Sequence, residues 1–551
     1  MGEGRAATGH LDTFCADRLP PAELQPVFLH DASALPGYPA RLNCIPALLE
    51  GRRAGAEGAR PAIVYPGGVW SYAELADATD RIARVLVEDL GMVPGNRVLL
   101  RAPNTPMLAA CWLAVLKAGG VAVCTMALLR ERELQSIADD AEIALALTDV
   151  RGAEDCTAAL RVRRDGLPRR SARVVQFSAD GRTDAELDVL MRTREPSFVA
   201  CDTAADDVAI IAFTSGTTGQ GKGTMHSHRD ILAITDCFPA HVLRPGADDL
   251  FCGSPPLAFT YALGGLLLFP LRVGASTLLL EQASPPHLVK AIHEYRPTIC
   301  FTAPTAYRAM CGMLGEHDVS SLRACVSAGE PLPLSVFEAW RDATGLRIID
   351  GIGATEMLHI FISASGDDIR PGSTGRVVPG YVAMIVDDDI MPVPDGTVGR
   401  LAVRGPTGCR YLGNPERQRE YVQRGWNFTG DSFARDADGY FWYQARTDDI
   451  IVSSGYNIAG PEVENVLLEH EVVLECAVVG TPDEERGQLV TAVIVLRSGT
   501  EGSPTLVKEL QDFVKARIAP YKYPRVVEFV PTLPRTITGK LQRFQLREGS
   551  R

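Results

Sequence analysis

Apolar residues along the chain fall into compact runs and helix-spaced sets, and the two patterns alternate over most of its length. Val98–Leu100, Ser276–Leu280 and Ile299–Phe301 are short apolar runs between turn-rich or helical segments, which predicts strands. Ser71 followed by Glu74 reads as a capping box, and Leu75, Ile82, Val85 and Leu86 continue at helical spacing. The apolar stretch Met107–Leu129 is broken by Lys117 and a Gly-Gly pair, so it predicts a buried helix, turn and strand rather than a membrane span. This alternation predicts an α/β fold of layered parallel sheets. Towards the C-terminus the pattern tightens. Cys476–Gly480, Val490–Leu496 and Val526–Val530 are strand candidates, with Leu506, Leu510, Phe513, Val514 and Ile518 on one helix. A boundary near Ala445–Asp449 divides the chain into a large multi-sheet N-terminal domain, residues 1–447, and a smaller α+β domain, residues 448–551.

Composition narrows the function. A chain of 551 residues buries a large core, and its net charge of −13 lacks the basic footprint of a nucleic-acid binder. The basic run Arg161–Arg170 reads as solvated surface and Asp387–Asp389 as a polar hairpin tip. The 13 cysteines include no C-x-x-C pair, which suits a reducing compartment, and no apolar signal core follows Met1. The expectation is a cytoplasmic protein without a membrane span.

The densest chemical signal lies after the apolar run Val208–Ala212. There Thr214, Ser215, Gly216, Thr217, Thr218, Gly219 and Lys222 combine backbone N–H groups freed by glycine, hydroxyl donors and one point charge, a composition suited to phosphate. Gly216 to Lys222 fits the first part of a Walker A loop, but Gly223 stands where that loop needs Ser or Thr for magnesium. On this segment alone a P-loop NTPase stays open. His226-x-His228 has no third metal ligand at hand, and Lys540 by itself reads as a solvated lysine on a Gly/Thr-rich terminal loop.

Four further segments decide between the readings: Gly351-Ile-Gly-Ala-Thr-Glu356, Phe428-Thr-Gly-Asp431, Ala445-Arg-Thr-Asp-Asp449 with Gly455 beyond, and Thr538-Gly-Lys540. With the phosphate loop they resemble, in order and spacing, the adenylate-forming superfamily of acyl-CoA synthetases, adenylation domains and luciferases. The likeness runs from about residue 60 to the end. Two positions depart from that family: Gly221 replaces the usual proline, and Ile450–Gly455 lacks a lysine common there.

The resemblance implies roles. The loop holds the β- and γ-phosphates of ATP, Thr355 donates to the α-phosphate, and Glu356 ligates Mg²⁺, a hard ion that takes oxygen ligands. Asp431 accepts from the ribose hydroxyls with Arg446 nearby, while Ala328, Gly329, Glu330, Asp350, Gly351 and Ile352 line the adenine. Lys540 bridges the carboxylate and the α-phosphate. Asp448 is the hinge of a mobile C-terminal domain whose other face, around Ser454, Gly455 and Tyr456, meets coenzyme A. Such a site joins two anions, so fixed positive charge is its first requirement.

Pro256–Gly265, Gly351–Phe361 and Tyr38–Asn43 are similar to segments of benzoate- and 2-aminobenzoate-CoA ligases. That likeness implies a flat pocket made by Phe259, Tyr261, Ile352, Gly353, His359 and Ile360, with Gly351 and Gly353 leaving room for a ring. The substrate expected is a small aromatic carboxylic acid, 2-aminobenzoate before benzoate or a hydroxybenzoate. The chain ends soon after Lys540 with no carrier domain, which favours free coenzyme A over a separate carrier protein as acceptor. A luciferase-type oxygenase and a nucleotide sensor without turnover stand as rivals; retention of Glu356, Asp431 and Lys540 speaks against the sensor.

Overall fold

The computed structural model describes residues 7–30, 33–168, 172–214, 222–446, 449–453, 456–483, 486–518, 520–535 and 541–548. Among them, six strands align in the order Arg173–Phe177, Leu145–Asp149, Arg97–Arg101, Val121–Thr125, Val208–Thr214 and Lys222–Ser227. The first four pairings are parallel and the last is antiparallel. Arg97–Arg101 and Leu145–Asp149 are buried at every position, as strands covered on both faces must be. The helix Pro106–Lys117 is buried throughout and starts cleanly: Thr105 caps Leu108 N–H, and Pro106 occupies the first turn, where its missing N–H costs nothing. Gly119, at φ +78°, turns the chain into Val121–Thr125. The helix, turn and strand read from Met107–Leu129 are therefore present. No helix among the described residues is long and apolar enough to cross a membrane.

A second sheet has nine strands, parallel through its centre from Pro61–Tyr65 to Ile348–Gly353 and antiparallel at both edges. Its edge strand Gly68–Ser71 leads into the helix Tyr72–Arg84, whose capping box is formed by Ser71 and Glu74 as the sequence predicted. The third sheet departs from the expectation of parallel layers. Val382–Val386, Val398–Arg404, Trp426–Arg435, Val422–Gln423 and Phe441–Arg446 pair only in antiparallel fashion. Between Val382–Val386 and Val398–Arg404 the chain turns back without a helix, and Asp387–Met391 closes a turn with a 3.0 Å backbone bond.

The last sheet contains Ile450–Ser453, Tyr456–Ala459, Val473–Asp483, Gly487–Leu496 and Val526–Phe529, packed against the helices Gly460–Leu468 and Pro504–Lys515. The predicted strand at Cys476–Gly480 is the middle of a longer one, and Ile518 lies beyond the end of its helix. The proposed boundary at 447/448 lies outside the described residues.

Lys117, the charge that broke the apolar run, is buried on a cluster of ions. Its ammonium meets the Asp80 carboxylate and lies 2.9 Å from Glu50 Oε1. Asp80 also receives Arg53, which reaches Asp77 at 2.6 Å. Removing one partner of such a cluster strands the others without water. Asp80→Ala should lower the unfolding free energy of the first transition by about 3–5 kcal/mol in urea titrations; a loss below about 1 kcal/mol would contradict this account of the cluster.

Candidate active site

Thr214 pairs with Lys222 across the antiparallel strands Val208–Thr214 and Lys222–Ser227, so the two described ends of the phosphate loop stand side by side. Ser215, Gly216, Thr217, Thr218, Gly219 and the rest of the loop to residue 221 lie outside the described residues. A Walker loop runs into the N-terminus of a helix, whereas this chain returns as a strand. The P-loop reading fails on that topology. Gly223 has its own reason to be glycine: a Cβ there would meet Ile211 at 3.0 Å and the Phe213 ring at 3.1 Å.

The free edge of Lys222–Ser227 is covered by residues 410–412. Met225 N–H donates to Arg410 O at 2.8 Å and Leu412 N–H to Gly223 O at 2.9 Å, with Thr224 bridging Tyr411. This pairing aims Tyr411 at Glu356, and its hydroxyl donates to Glu356 Oε1 at 2.6 Å. Burial, then the Glu356 charge, pushes the Tyr411 phenol far above its usual range and keeps it a donor. Thr355 and Glu356 form the short turn Thr355–Met357 that follows the strand Ile348–Gly353, and both side chains are half-buried. His226, fully buried, places Nε2 2.8 Å from the Thr355 carbonyl oxygen. Burial lowers its pKa to about 4, so the ring is neutral at pH 7.

Lys222 is half-buried, and burial lowers its pKa; the charges it feels are Arg417, Glu356, Glu420 and Arg446. Arg446 Nη1 lies 3.2 Å from Asp431 Oδ1 and 3.0 Å from Thr429 O, because Asp431 and Arg446 are directly paired on neighbouring strands. Gly430, at φ +77°, keeps that approach open: a Cβ would stand 2.8 Å from Arg446 Nη2. Lys222, Arg417 and Arg446 thus gather positive charge around Glu356 and Asp431, an arrangement able to hold a polyphosphate beside a cation-binding carboxylate. Among the described residues no three His, Cys, Asp or Glu side chains could enclose a metal. Glu356 alone, with one oxygen engaged by Tyr411, fits Mg²⁺, which keeps water and substrate phosphates as most of its ligands.

Ala328 is buried, and Gly329, at φ +90°, faces open space. Glu330 lies 3.4 Å from Arg535, whose backbone bridges Leu541. Arg535 also binds Glu475 at 2.8 Å, and Glu475 lies 3.5 Å from Arg308. The bridged pair Arg535 and Leu541 brackets residues 536–540, and the Arg535 guanidinium is the described group that reaches Glu330. Lys540 itself, Asp448, Ser454 and Gly455 lie outside the described residues. Tyr456 opens the strand Tyr456–Ala459.

Tyr261 packs against Phe301 with centroids 5.5 Å apart and against His359 at 5.8 Å. Its hydroxyl donates to Val326 O at 3.0 Å. His359 is enclosed by Phe238, Phe269 and Gly264; its Nε2 donates to Tyr261 O at 3.2 Å, while Nδ1 is buried without a partner among the described residues. Burial lowers the His359 pKa to about 3. Phe259 and Ile352 are half-buried and Ile360 is buried. On the side where a side chain would stand, Gly351 and Gly353 are already packed. A Cβ on Gly351 would meet Ile360 side-chain atoms at 2.9 Å, and one on Gly353 would meet His359 O at 2.8 Å. These glycines admit the returning strand Ile360–Ser363, not a ring beside their own Cα atoms.

His226 and His228 are structural in their surroundings. His228 Nδ1 accepts from Cys44 N–H at 3.3 Å. Tyr411, Arg417 and the Thr355 contact of His226 were not read from the sequence; the H-x-H pair was visible, but its partner lies 129 residues away.

Asp350 is half-buried, with Oδ1 enclosed and lacking a partner among the described residues, and burial raises its pKa to about 8. The folded state therefore holds this proton between about pH 4 and 8 while the unfolded chain releases it. Its contribution to stability is full below the unfolded value of about 4 and is lost as pH rises towards 8. Asp350→Asn should accordingly flatten the fall in melting temperature between pH 5 and 8. An equally steep fall in the variant would place the proton elsewhere.

Comparison with known proteins agrees with this geometry. The AMP-binding enzyme family matches residues 51–411, and the AMP-binding enzyme C-terminal domain matches residues 462–540. The benzoate–CoA ligase of Thauera aromatica is 34% identical over 519 residues, covering 93% of this chain and 97% of that protein. The crystal structure of the anthranilate CoA ligase AuaEII in complex with anthranoyl-AMP superposes with a TM-score of 0.87 at 33% identity, covering 94% of this chain and 99% of that one. A benzoate CoA ligase from Burkholderia xenovorans LB400 gives 0.82 at 32% identity, with 92% and 100% covered. With the return strand, the Thr355–Glu356 turn and the Asp431–Arg446 pair in place, the chain belongs to the AMP-binding enzymes of the adenylate-forming superfamily and is an AMP-forming acid–thiol ligase.

Proposed function

We propose that the protein is an ATP-dependent aryl-CoA ligase acting on a small aromatic carboxylic acid, with 2-aminobenzoate preferred and benzoate or a hydroxybenzoate next. The observation that carries this reading is the meeting of two environments along one hairpin. Glu356, held by the Tyr411 hydroxyl, lies within electrostatic reach of Lys222, which also feels Arg417 and Arg446, and Ile352 and Ile360 on the adjoining strands belong to the apolar cluster that contains Tyr261 and Phe301. The likeness to ligases of anthranilate and benzoate supports an aryl substrate.

In this reading a carboxylate oxygen of the acid attacks the α-phosphorus of ATP, the bond to the bridging oxygen breaks, and pyrophosphate leaves. Thr214, the loop to residue 219 and Lys222 hold the β- and γ-phosphates. Thr355 donates to the α-phosphate, and Glu356 would hold Mg²⁺, which when bound offsets phosphate charge. Asp431 accepts from the ribose hydroxyls, and the adenine lies along residues 328–330 and 350–352. Lys540 supplies positive charge where the two anions meet, the point at which a preorganised donor contributes most. The C-terminal domain then turns about Asp448 and brings Ser454, Gly455 and Tyr456 to the site. There the thiol of coenzyme A attacks the acyl carbon and AMP departs.

Steady-state kcat/KM for 2-aminobenzoate, benzoate, salicylate and octanoate, with AMP, pyrophosphate and thioester measured separately, tests the substrate class. The three aryl acids should fall within about 10–200-fold of one another, as small changes in an apolar pocket do, and octanoate should trail them. A preference for octanoate contradicts an aryl pocket, and turnover that needs a carrier protein instead of coenzyme A contradicts the acceptor. Lys540→Ala should slow pyrophosphate release on the order of 10²–10³-fold while leaving thioester formation from supplied acyl-adenylate nearly unchanged. Equal losses in both half-reactions would show that Lys540 does not act in adenylation alone.

A further inference from the structure

The turn that presents Thr355 and Glu356 is too short to hold itself. It spans Thr355–Met357, and its C-terminal neighbour Leu358 adopts φ +69°, a left-handed conformation that strains a non-glycine residue. The turn closes on two backbone bonds, Met357 N–H to Ala354 O at 3.0 Å and Leu358 N–H to Thr355 O at 3.1 Å. A second donor reaches the same oxygen from a different sheet: His226 Nε2, at 2.8 Å.

That bond dictates the tautomer. A carbonyl only accepts, so Nε2 carries the hydrogen and Nδ1 is left as a lone pair. Nδ1 is buried without a hydrogen-bond partner among the described residues and lies 3.8 Å from Asp230 Oδ2. Asp230 is itself engaged by Arg410 and by Ser227 N–H at 2.8 Å. The ring therefore spends its one hydrogen bond on the backbone of the residue before Glu356. His226 also lies four residues beyond Lys222 on the same strand, so the bond sets the distance between the phosphate-loop lysine and the Thr355–Glu356 turn.

We propose that His226 is a positioning residue that holds this strained turn, through the Thr355 carbonyl, at the spacing from Lys222 that the phosphates of ATP require. The inference rests on the functional reading above. It concerns nucleotide binding before any chemistry, so it needs no knowledge of the acid.

The test uses two polar variants of the full chain. In His226→Gln the side-chain amide reaches the former Nε2 position and donates; in His226→Asn it reaches only the Nδ1 position. Calorimetric titration with α,β-methylene-ATP plus Mg²⁺, and separately with adenosine, reads the phosphate and nucleoside parts of the site. His226→Asn should bind the triphosphate about tenfold more weakly than wild type with adenosine affinity unchanged, and His226→Gln should recover to within about threefold. The proposal is overturned if Asn binds the triphosphate as wild type does, if both variants are equally impaired, or if adenosine and triphosphate affinity fall together. If the wild-type protein binds neither ligand, the functional reading fails and the proposal with it.

Discussion

The pairing of Lys222–Ser227 on both edges is the constraint on which the site depends. One edge takes Val208–Thr214 and so fixes both ends of the phosphate loop. The other takes residues 410–412, which brings the Tyr411 hydroxyl onto Glu356. Across its face, His226 reaches the Thr355 carbonyl. One strand therefore ties the segments beside it and the Thr355–Glu356 turn to a common point, by backbone pairing along its edges and by the His226 side chain across its face. Such an arrangement suits a reaction between two anions. Donors and cations fixed in advance need no reorganisation as charge shifts in the transition state.

The same economy governs the second cationic element. Asp431 and Arg446 face each other across an antiparallel pair, close enough to interact directly, with Gly430 keeping side-chain bulk out of the way. Arg446 ends the strand Phe441–Arg446, four residues before the small sheet begins at Ile450, so the Asp431–Arg446 pair stands close in sequence to that sheet. On the far side the small sheet returns to the site through Glu475 and Arg535, which meet Arg308 and Glu330. These contacts are partly exposed ion pairs, individually weak. They suit an interface that can release, unlike the buried cluster around Lys117 and Asp80.

Much of this was legible in the sequence where a local rule applies. The capping box at Ser71 and Glu74, the buried run through Met107, and the hairpin tip at Asp387–Asp389 obey short-range chemistry, and each is where it was expected. That hairpin tip was read, but the antiparallel third sheet as a whole was absorbed into the α/β alternation, because most of its strands carry no turn signal of their own. Gly351 and Gly353 were recognised as meaningful, but glycine beside a pocket and glycine beneath a returning strand look alike until Ile360 is seen to fill the space. Tyr411 and His226 could not be found from one sequence. Their partners lie 55 and 129 residues away, and a buried tyrosine or histidine in a strand has no motif of its own.

The central claim is that an aryl-adenylate spans the Thr355–Glu356 turn, with its ribose on Asp431 and its ring against Tyr261. A crystal structure of the protein with a non-hydrolysable 2-aminobenzoyl-adenylate analogue tests it directly. The account predicts both ribose hydroxyls on the Asp431 carboxylate, the phosphate surrogate within hydrogen-bond reach of Thr355, and the ring in contact with Tyr261 and Ile352. A ring lodged away from Tyr261, or a nucleoside bound without Asp431, would contradict it.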